Sequence, residues 1–403
     1  MSENRTITSL GVERQGQAYF FRYEEVPPEP HQLRIDTLYS GLSAGTELTF
    51  FRGTNPYLHS RWDEDYGLFQ EDAPSISYPL PFLGYMEVGR VTESRAASVP
   101  EGQLVAMAYG HKSGHTADVR SEFFVPLPPD LDPLLGIYVA QMGPICVNGL
   151  LHAAADLVGP DVRGLSDGVA GRNVVVFGAG VIGLLTALLA AEHGAAEVVV
   201  VNSDGPRLAA ARGLGLQTLD QNADPAPWLV CKERWRHGPR DRGADIVFQT
   251  KPSCQSLSAA LRCLRPRGAV IDMAFYQGGA PELCLGAEFH HNGLTIRCAQ
   301  INNLPFHLEH TWTRHRLAAE TIRLLLAKGD LLRKHIITHI VPFDDAPAFV
   351  TDLAVEYQPA VIQAVFEMPA AIQPPPSTAE RIQAERITAP IAPDGADRQL
   401  QPE

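Results

Sequence analysis

The chain has 403 residues, 45% of them hydrophobic and 20% charged, with a formal net charge of −13. That length suggests about two domains, and the composition is that of a soluble globular protein. The acidic balance argues against nucleic acid or an anionic membrane as a partner, and no apolar run approaches the ~20 residues of a membrane span. Residues 1–18 are polar, with no apolar signal-peptide core, so a cytoplasmic location is expected. Six cysteines (Cys146, Cys231, Cys254, Cys263, Cys284, Cys298) are scattered without a Cys-x-x-Cys pair and read as reduced, mostly buried thiols.

Residues 17–40 read as β structure. Segment 32–39 alternates, with Leu33 and Ile35 on one face and Arg34 and Asp36 on the other. A proline-rich turn lies at 26–30. Segment 50–85 reads as a long loop carrying Phe51, Tyr57, Trp62, Tyr66, Phe69, Tyr78 and Phe82. Its aromatics fit either a substrate entrance or a cover for the domain's own core. Strands are expected at 82–91, 104–108 and 117–125, and His111 and His115, in a short glycine-containing loop, are expected at the surface. Segment 133–156 turns helical.

From 172 to 302 strand and helix alternate: 174–177, 184–193, 198–201, 206–214, 246–248, 254–264, 269–273 and 294–299. This is the pattern of a doubly wound parallel sheet. An amphipathic helix follows at 315–328, then strands at 337–341 and 360–366. After Met368 the composition shifts to Pro, Ala and charge, which predicts a disordered tail over 370–403, or one short helix near 378–387.

The most specific signal is Val174-Val-Val-Phe-Gly178-Ala-Gly180-Val-Ile-Gly183. An apolar β-branched run breaks into Gly-x-Gly-x-x-Gly, then a helix, then a second apolar run at 197–201. That order is a dinucleotide-binding βαβ unit. Gly178 permits the tight turn, Gly180 lets the backbone approach a pyrophosphate, and Gly183 lets helix and strand pack closely. The helix start at Val181 and Ile182 offers free N–H groups to the phosphates. The second strand ends at Asn202, where an acidic residue usually grips the adenosine ribose and selects NAD. Asn202 removes that charge, Ser203 offers a hydroxyl to a 2′-phosphate, and Arg207 is near enough to help. Asp204 would repel the phosphate if it pointed inward. These residues favour NADP over NAD without settling the choice.

The layout resembles the medium-chain dehydrogenase/reductase superfamily over residues 20–368. Local matches are Gly178–Gly183, Arg207-Leu-Ala-Ala-Ala-Arg-Gly-Leu-Gly215, Leu264-Arg-Pro-Arg-Gly268, and 331–343 with Ile337-Thr-His339. The resemblance implies an α/β fold: a Rossmann doubly wound parallel sheet plus a β-rich GroES-like catalytic domain. It assigns 1–152 to the catalytic domain, 153–302 to the Rossmann domain and 303–369 to the return. It also leaves open a homodimer through an edge strand, with 294–299 as a candidate. Ser43-Ala-Gly-Thr-Glu47, Gly84-Tyr85 and Gly89-Arg90-Val91 are similar to a zinc-free branch that includes bacteriochlorophyllide dehydrogenase.

Zinc-dependent members carry Cys-x-Thr-Asp and Gly-His-Glu segments, whose cysteine and histidine bind catalytic zinc. Here those positions are Ala44 and Tyr85. Catalytic zinc needs about three protein ligands, and Cys146 alone cannot hold it. The four-cysteine lobe for structural zinc is also missing, so no metal is expected. Without zinc, hydrogen-bond donors must polarise the reacting oxygen. Tyr85 is the first candidate, Thr46 the second and Glu47 the third. Each also has a bland reading: core filler, local strand hydroxyl, structural ion pair. Glu87 has no role in the family pattern and falls outside the candidate site.

The function implied is zinc-independent, NAD(P)-dependent hydride transfer on an apolar or aromatic alcohol/ketone pair. The alternatives are a zinc-free alkene or quinone reductase of the same fold, or a non-catalytic nucleotide-binding scaffold.

Overall fold

Val174, Val175 and Val176 leave strand Asn173–Phe177 without a polar face, so it must be covered on both sides. The computed structural model describes residues 3–71 and 73–369 and supplies that cover. The strand lies inside a six-stranded sheet, in the order Gln217–Asp220, Glu197–Asn202, Asn173–Phe177, Ala244–Gln249, Leu264–Asp272, Thr295–Cys298. Every pairing is parallel. Numbered along the chain, the order is 3-2-1-4-5-6, so the winding reverses beside Asn173–Phe177. A crevice opens at such a reversal, outside the carboxyl ends of the strands. Helix Val181–Glu192 is apolar nearly all round because it is buried against this sheet, with Leu184, Leu185, Leu188 and Leu189 in the core.

A second sheet of seven strands is built from both ends of the sequence. Ile337–Pro342 and Gln363–Glu367 pair with each other in parallel, and Gln363–Glu367 runs antiparallel to Gln32–Gly41. Glu87–Ser94, Leu104–Met107 and Val125–Pro126 continue the order, and Gly114–Asp118 also pairs with Gln32–Gly41. Together the two sheets form a parallel Rossmann layer and a β-rich GroES-like layer. Met1–Met368 forms one compact unit. The expected tail at 370–403, with its short helix near 378–387, lies outside the described residues. No helix among the described residues is long and apolar enough to cross a membrane.

Several segments depart from the sequence reading, among them the strand expected at 117–125, which is two short strands, Gly114–Asp118 and Val125–Pro126. Arg5–Arg14 is a strand, hairpinned to Gln17–Glu25 and burying Ile7, Leu10 and Val12; the buried Ser9 and the intervening Gly11 hide its alternation. Ala44–Arg52 is a helix closed by Gly53 in the left-handed region, so Thr46 is a helical residue and not a strand hydroxyl. The strand expected at 82–91 begins only at Glu87.

The aromatic loop departs too, and it divides. Phe51 joins the core and Tyr78 packs against it. Tyr57, Trp62 and Phe69 cluster on one another around the hairpin Arg61–Asp63/Leu68–Gln70, with ring centroids 5.5 and 5.0 Å apart. The helix expected at 315–328 runs longer, Arg314–His335, and a further helix, Ala346–Val355, follows it. Thr313 caps the start of the first, and Arg333, Lys334 and His335 suit the negative end of its dipole.

Candidate active site

The glycine turn is built as its sequence requires. Gly178 follows the strand with φ +103°, and a Cβ there would lie 2.6 Å from Thr250 Oγ1. A Cβ on Gly183 would lie 1.9 Å from the Gly178 carbonyl oxygen, so helix and turn touch through bare backbone. Gly180 is the N-cap of the helix that starts at Val181. Of the three glycines only Gly180 is open, so it is there that bare backbone suits the approach of a pyrophosphate. A buried acceptor without a partner, Gln249 Oε1, stands at the carboxyl end of the neighbouring strand. The Gly183→Ala variant is expected to lose nucleotide binding and roughly 3 kcal/mol of stability, the upper range for overpacking. A nucleotide titration and urea unfolding check this, and wild-type values in both would refute it.

Around the second strand, Asn202 is buried and ends the strand. The Ser203 carbonyl accepts from Asn222 Nδ2 at 2.7 Å. Asp204 accepts from the Tyr357 hydroxyl at 2.7 Å. Arg207 donates to the carbonyls of Pro359 and Val361 at 3.2 and 3.0 Å, and a Cβ on Gly180 would lie 3.3 Å from its Nη1. The C-terminal return is thus tied to the segment that follows the second strand. Neither Tyr357 nor the two carbonyls carried a sequence signal.

Tyr85, Thr46 and Glu47 come together at the start of helix Ala44–Arg52. Ser43 precedes that helix without using its side chain as a cap. Its hydroxyl instead shares a short hydrogen bond with Tyr85 Oη, which also lies 3.5 Å from Thr46 Oγ1. Burial, then the Glu47 charge, pushes the Tyr85 phenol up to about 12, against hydrogen bonds from Ser43 and Thr46 and with a smaller push from Glu87. Tyr85 and Ile182 both pack on the core cluster that contains Cys146. Cys146 is a buried hydrophobe; its thiol reaches the carbonyls of Met142 and Ile182 and is pushed up to about 12 by burial.

Behind the hydroxyls lies a charge network that the sequence reading missed. Glu47 Oε1 accepts the Ser43 backbone N–H at 2.8 Å, and Glu47 Oε2 meets His111 Nε2 at 2.5 Å. His111 Nδ1 meets Ser40 Oγ at 2.6 Å, and Ser40 donates to Glu87 at 2.9 Å. The Tyr109 backbone N–H closes the other Glu87 oxygen at 2.9 Å. His111 is therefore not a surface residue: it is 1% exposed. Gly84, at φ +102°, makes its room, since a Cβ there would lie 2.8 Å from His111 Nδ1. His115 is half-buried and pairs with Glu122.

Burial pulls the His111 pKa down, but the charges and hydrogen bonds of Glu47 and the charge of Glu87 outweigh it and hold it above the ordinary value. Burial pushes the Glu87 carboxyl up, against His111, Ser40 and the Gly110 backbone. A doubly protonated His111 satisfies every bond in this network, donating to Glu47 and to Ser40 while Ser40 donates to Glu87.

This donor set does not suit catalytic zinc. The front rank is three hydroxyls, Tyr85, Ser43 and Thr46. The two carboxylates behind address opposite nitrogens of one imidazole and do not converge on a point. Among the described residues no group of three or more His, Cys, Asp or Glu side chains is arranged to hold a metal.

Solved structures place the architecture. The chain superposes with a TM-score of 0.66 on 2R,3R-butanediol dehydrogenase from Bacillus subtilis, at 16% identity and covering 90% of this chain and 99% of that one. The fold is that of the medium-chain dehydrogenases/reductases. A short chain alcohol dehydrogenase from Escherichia coli CFT073, complexed with NADH, gives 0.63 at 15% identity, with 90% and 99% covered. Among curated sequences, a D-guloside 3-dehydrogenase from Escherichia coli K12 is 27% identical over 82% of this chain and 91% of its own length. A probable D-xylulose reductase A from Emericella nidulans is 28% identical over 87% and 94%. No protein-family model matches the chain.

Proposed function

We propose that this chain is a zinc-independent NAD(P)-linked oxidoreductase of the medium-chain superfamily, acting on a hydroxyl/carbonyl pair of a small polyol or sugar. The observation that carries the reading is the Tyr85–Ser43–Thr46 hydroxyl cluster, in which Tyr85 holds one position that the resemblance assigns to a zinc ligand and Ser43 and Thr46 flank the other, Ala44, in a chain that keeps the glycine cradle. A bound nicotinamide supplies or accepts hydride. The protein holds the proton. With its pKa pushed up to about 12, Tyr85 keeps its hydrogen at neutral pH and donates from Oη to a developing alkoxide. Ser43 and Thr46 orient that hydroxyl, and Glu47 fixes Ser43 through its backbone N–H.

The polar substrate class rests on the names of the curated relatives. The aromatic loop, which suggested an apolar or aromatic substrate, spends Tyr57, Trp62 and Phe69 on one another. A narrower placement beside the bacteriochlorophyllide-type enzymes rests on the Ser43–Glu47 and Gly84-Tyr85 segments alone. A homodimer through edge strand Thr295–Cys298 fits its outer position in the sheet.

We favour NADP, because Asn202 carries no charge and Asp204 is engaged by Tyr357. Asn202→Asp is then expected to shift the NADP/NAD preference towards NAD by roughly one to two orders of magnitude, a change of about 1.4–2.8 kcal/mol. Nucleotide titrations of both proteins check it; an unchanged ratio removes Asn202 from the site.

The reading itself is tested by following reduced-nicotinamide absorbance with a panel of polyols, sugars and glycosides against enones and quinones. Turnover confined to the first group supports it. Turnover of enones or quinones replaces it with the reductase reading, and tight nucleotide binding without any turnover replaces it with the scaffold.

A further inference from the structure

At the opposite end of the parallel sheet from the glycine turn, a cleft of about 620 Å³ is lined by Arg172, Arg240, Arg265 and Arg267 together with Asp241 and Asp245. The location follows from the strands: Arg172 immediately precedes Asn173–Phe177, and Asp245 lies at the start of Ala244–Gln249. The nucleotide turn follows Phe177, so the two places are separated by the length of a strand.

The charges in the cleft are not balanced. Arg265 alone pairs with both aspartates, at Asp241 and, at 2.7 Å, Asp245. Asp245 also takes the Asn173 backbone N–H at 2.8 Å. Arg172 donates to the carbonyls of Asp167 and Ala170. The Arg240 and Arg267 side chains are exposed and make no hydrogen bond or close ion pair among the described residues, although Arg265 first, then the His237 and Arg267 charges, hold the Asp241 carboxyl below its ordinary value. Two arginines without a close partner thus line a cleft whose two aspartates are already paired with Arg265, in a chain of net charge −13.

The backbone adds a second, independent observation. Arg240 and Arg267 each follow a proline, and both have φ +64°. This is the left-handed region, where glycine or asparagine is the usual occupant after Pro in a tight turn. Only three non-glycine residues among those described have positive φ, and two of them face this cleft. Strain held at two positions that line one cleft is a pointer to function.

We propose that this cleft is a second anion site, taking a phosphate group, free or as a small phosphate ester, in the forks of Arg240 and Arg267. Planar guanidinium forks match phosphate oxygens two at a time. The cleft has the size of a small-ligand site.

Calorimetric titrations with inorganic phosphate and with glucose 6-phosphate test it on the full chain. The wild type is expected to bind one of them saturably at millimolar or lower concentration, and Arg240→Gln/Arg267→Gln to bind it at least tenfold more weakly. Tighter binding of the ester assigns the site to a phosphorylated metabolite; equal binding assigns it to free phosphate. A second variant, Arg240→Gly/Arg267→Gly, relieves the backbone. It is expected to melt no lower than wild type while losing the anion, a combination that a structural role for the arginines would not produce. No saturable binding to the wild type, or undiminished binding to both variants, overturns the proposal.

Discussion

Replacing Tyr85 by Phe is expected to lower kcat by about two to three orders of magnitude while leaving nucleotide affinity unchanged. The ring is retained, so its packing on the core cluster around Cys146 survives. Only the hydroxyl is lost, and with it the shared bond to Ser43 and the 3.5 Å approach to Thr46. A positioned general acid contributes about 10²- to 10⁴-fold. The lower part of that range applies here because the Ser43 and Thr46 hydroxyls remain in place to donate through water. The loss corresponds to about 3–4 kcal/mol of barrier. Steady-state kinetics on a reducible substrate, with a parallel nucleotide titration, measure it. A kcat within a few-fold of wild type would return Tyr85 to its bland reading as filler. Loss of nucleotide binding along with kcat would point to disturbed packing.

The glycine turn was legible because its physics is local. Gly178, Gly180 and Gly183 are needed by one tight turn and one close helix–strand contact, and all lie within six residues of each other. Tyr85 and Thr46 were legible only through resemblance, since nothing between residues 46 and 85 announces that the chain folds back. Ser43 stood in the quoted motif, yet its role follows from a helix start that residues 44–52 do not advertise. Their apolar pattern is weak, and the helix has no side-chain cap at its N-terminus.

His111 was misread for a related reason. A polar residue between glycines reads as surface, and its burial depends on Glu47 and Glu87, which lie far away in sequence. Glu87 was set aside because the family pattern gives it no role; its place in the network rests on Ser40, the Tyr109 backbone and His111, which are distant in sequence. Arg207 was legible as a cation near the nucleotide but not as a tie to the C-terminal return, because carbonyl acceptors carry no sequence signature.

His111 carries the largest expected effect on stability. Replacing it by Leu is expected to cost roughly 3–5 kcal/mol near pH 6, the range for removing one partner of a buried ion pair. Leucine fills similar space but donates nothing to Glu47 or Ser40, and the two carboxylates left behind are 2% and 0% exposed. One of them must take up a proton or remain charged without a counter-ion. The pH dependence separates this charge effect from packing. His111 has a folded pKa raised above its ordinary 6.5, so its contribution is fully present below pH 6.5 and is lost as pH rises through the raised value. The wild type should therefore lose stability as pH rises through that window. Glu87, also raised above its ordinary 4.5, makes the wild type lose stability in the same direction from a lower starting pH. Adding Glu47→Gln to His111→Leu removes one stranded charge, so the double variant should be more stable than the additive sum. Urea unfolding of all three proteins from pH 6 to pH 9 provides the measurement. A cost below about 1 kcal/mol for His111→Leu, or a wild-type stability that does not fall with rising pH, would mean that the imidazole is held as a neutral core residue.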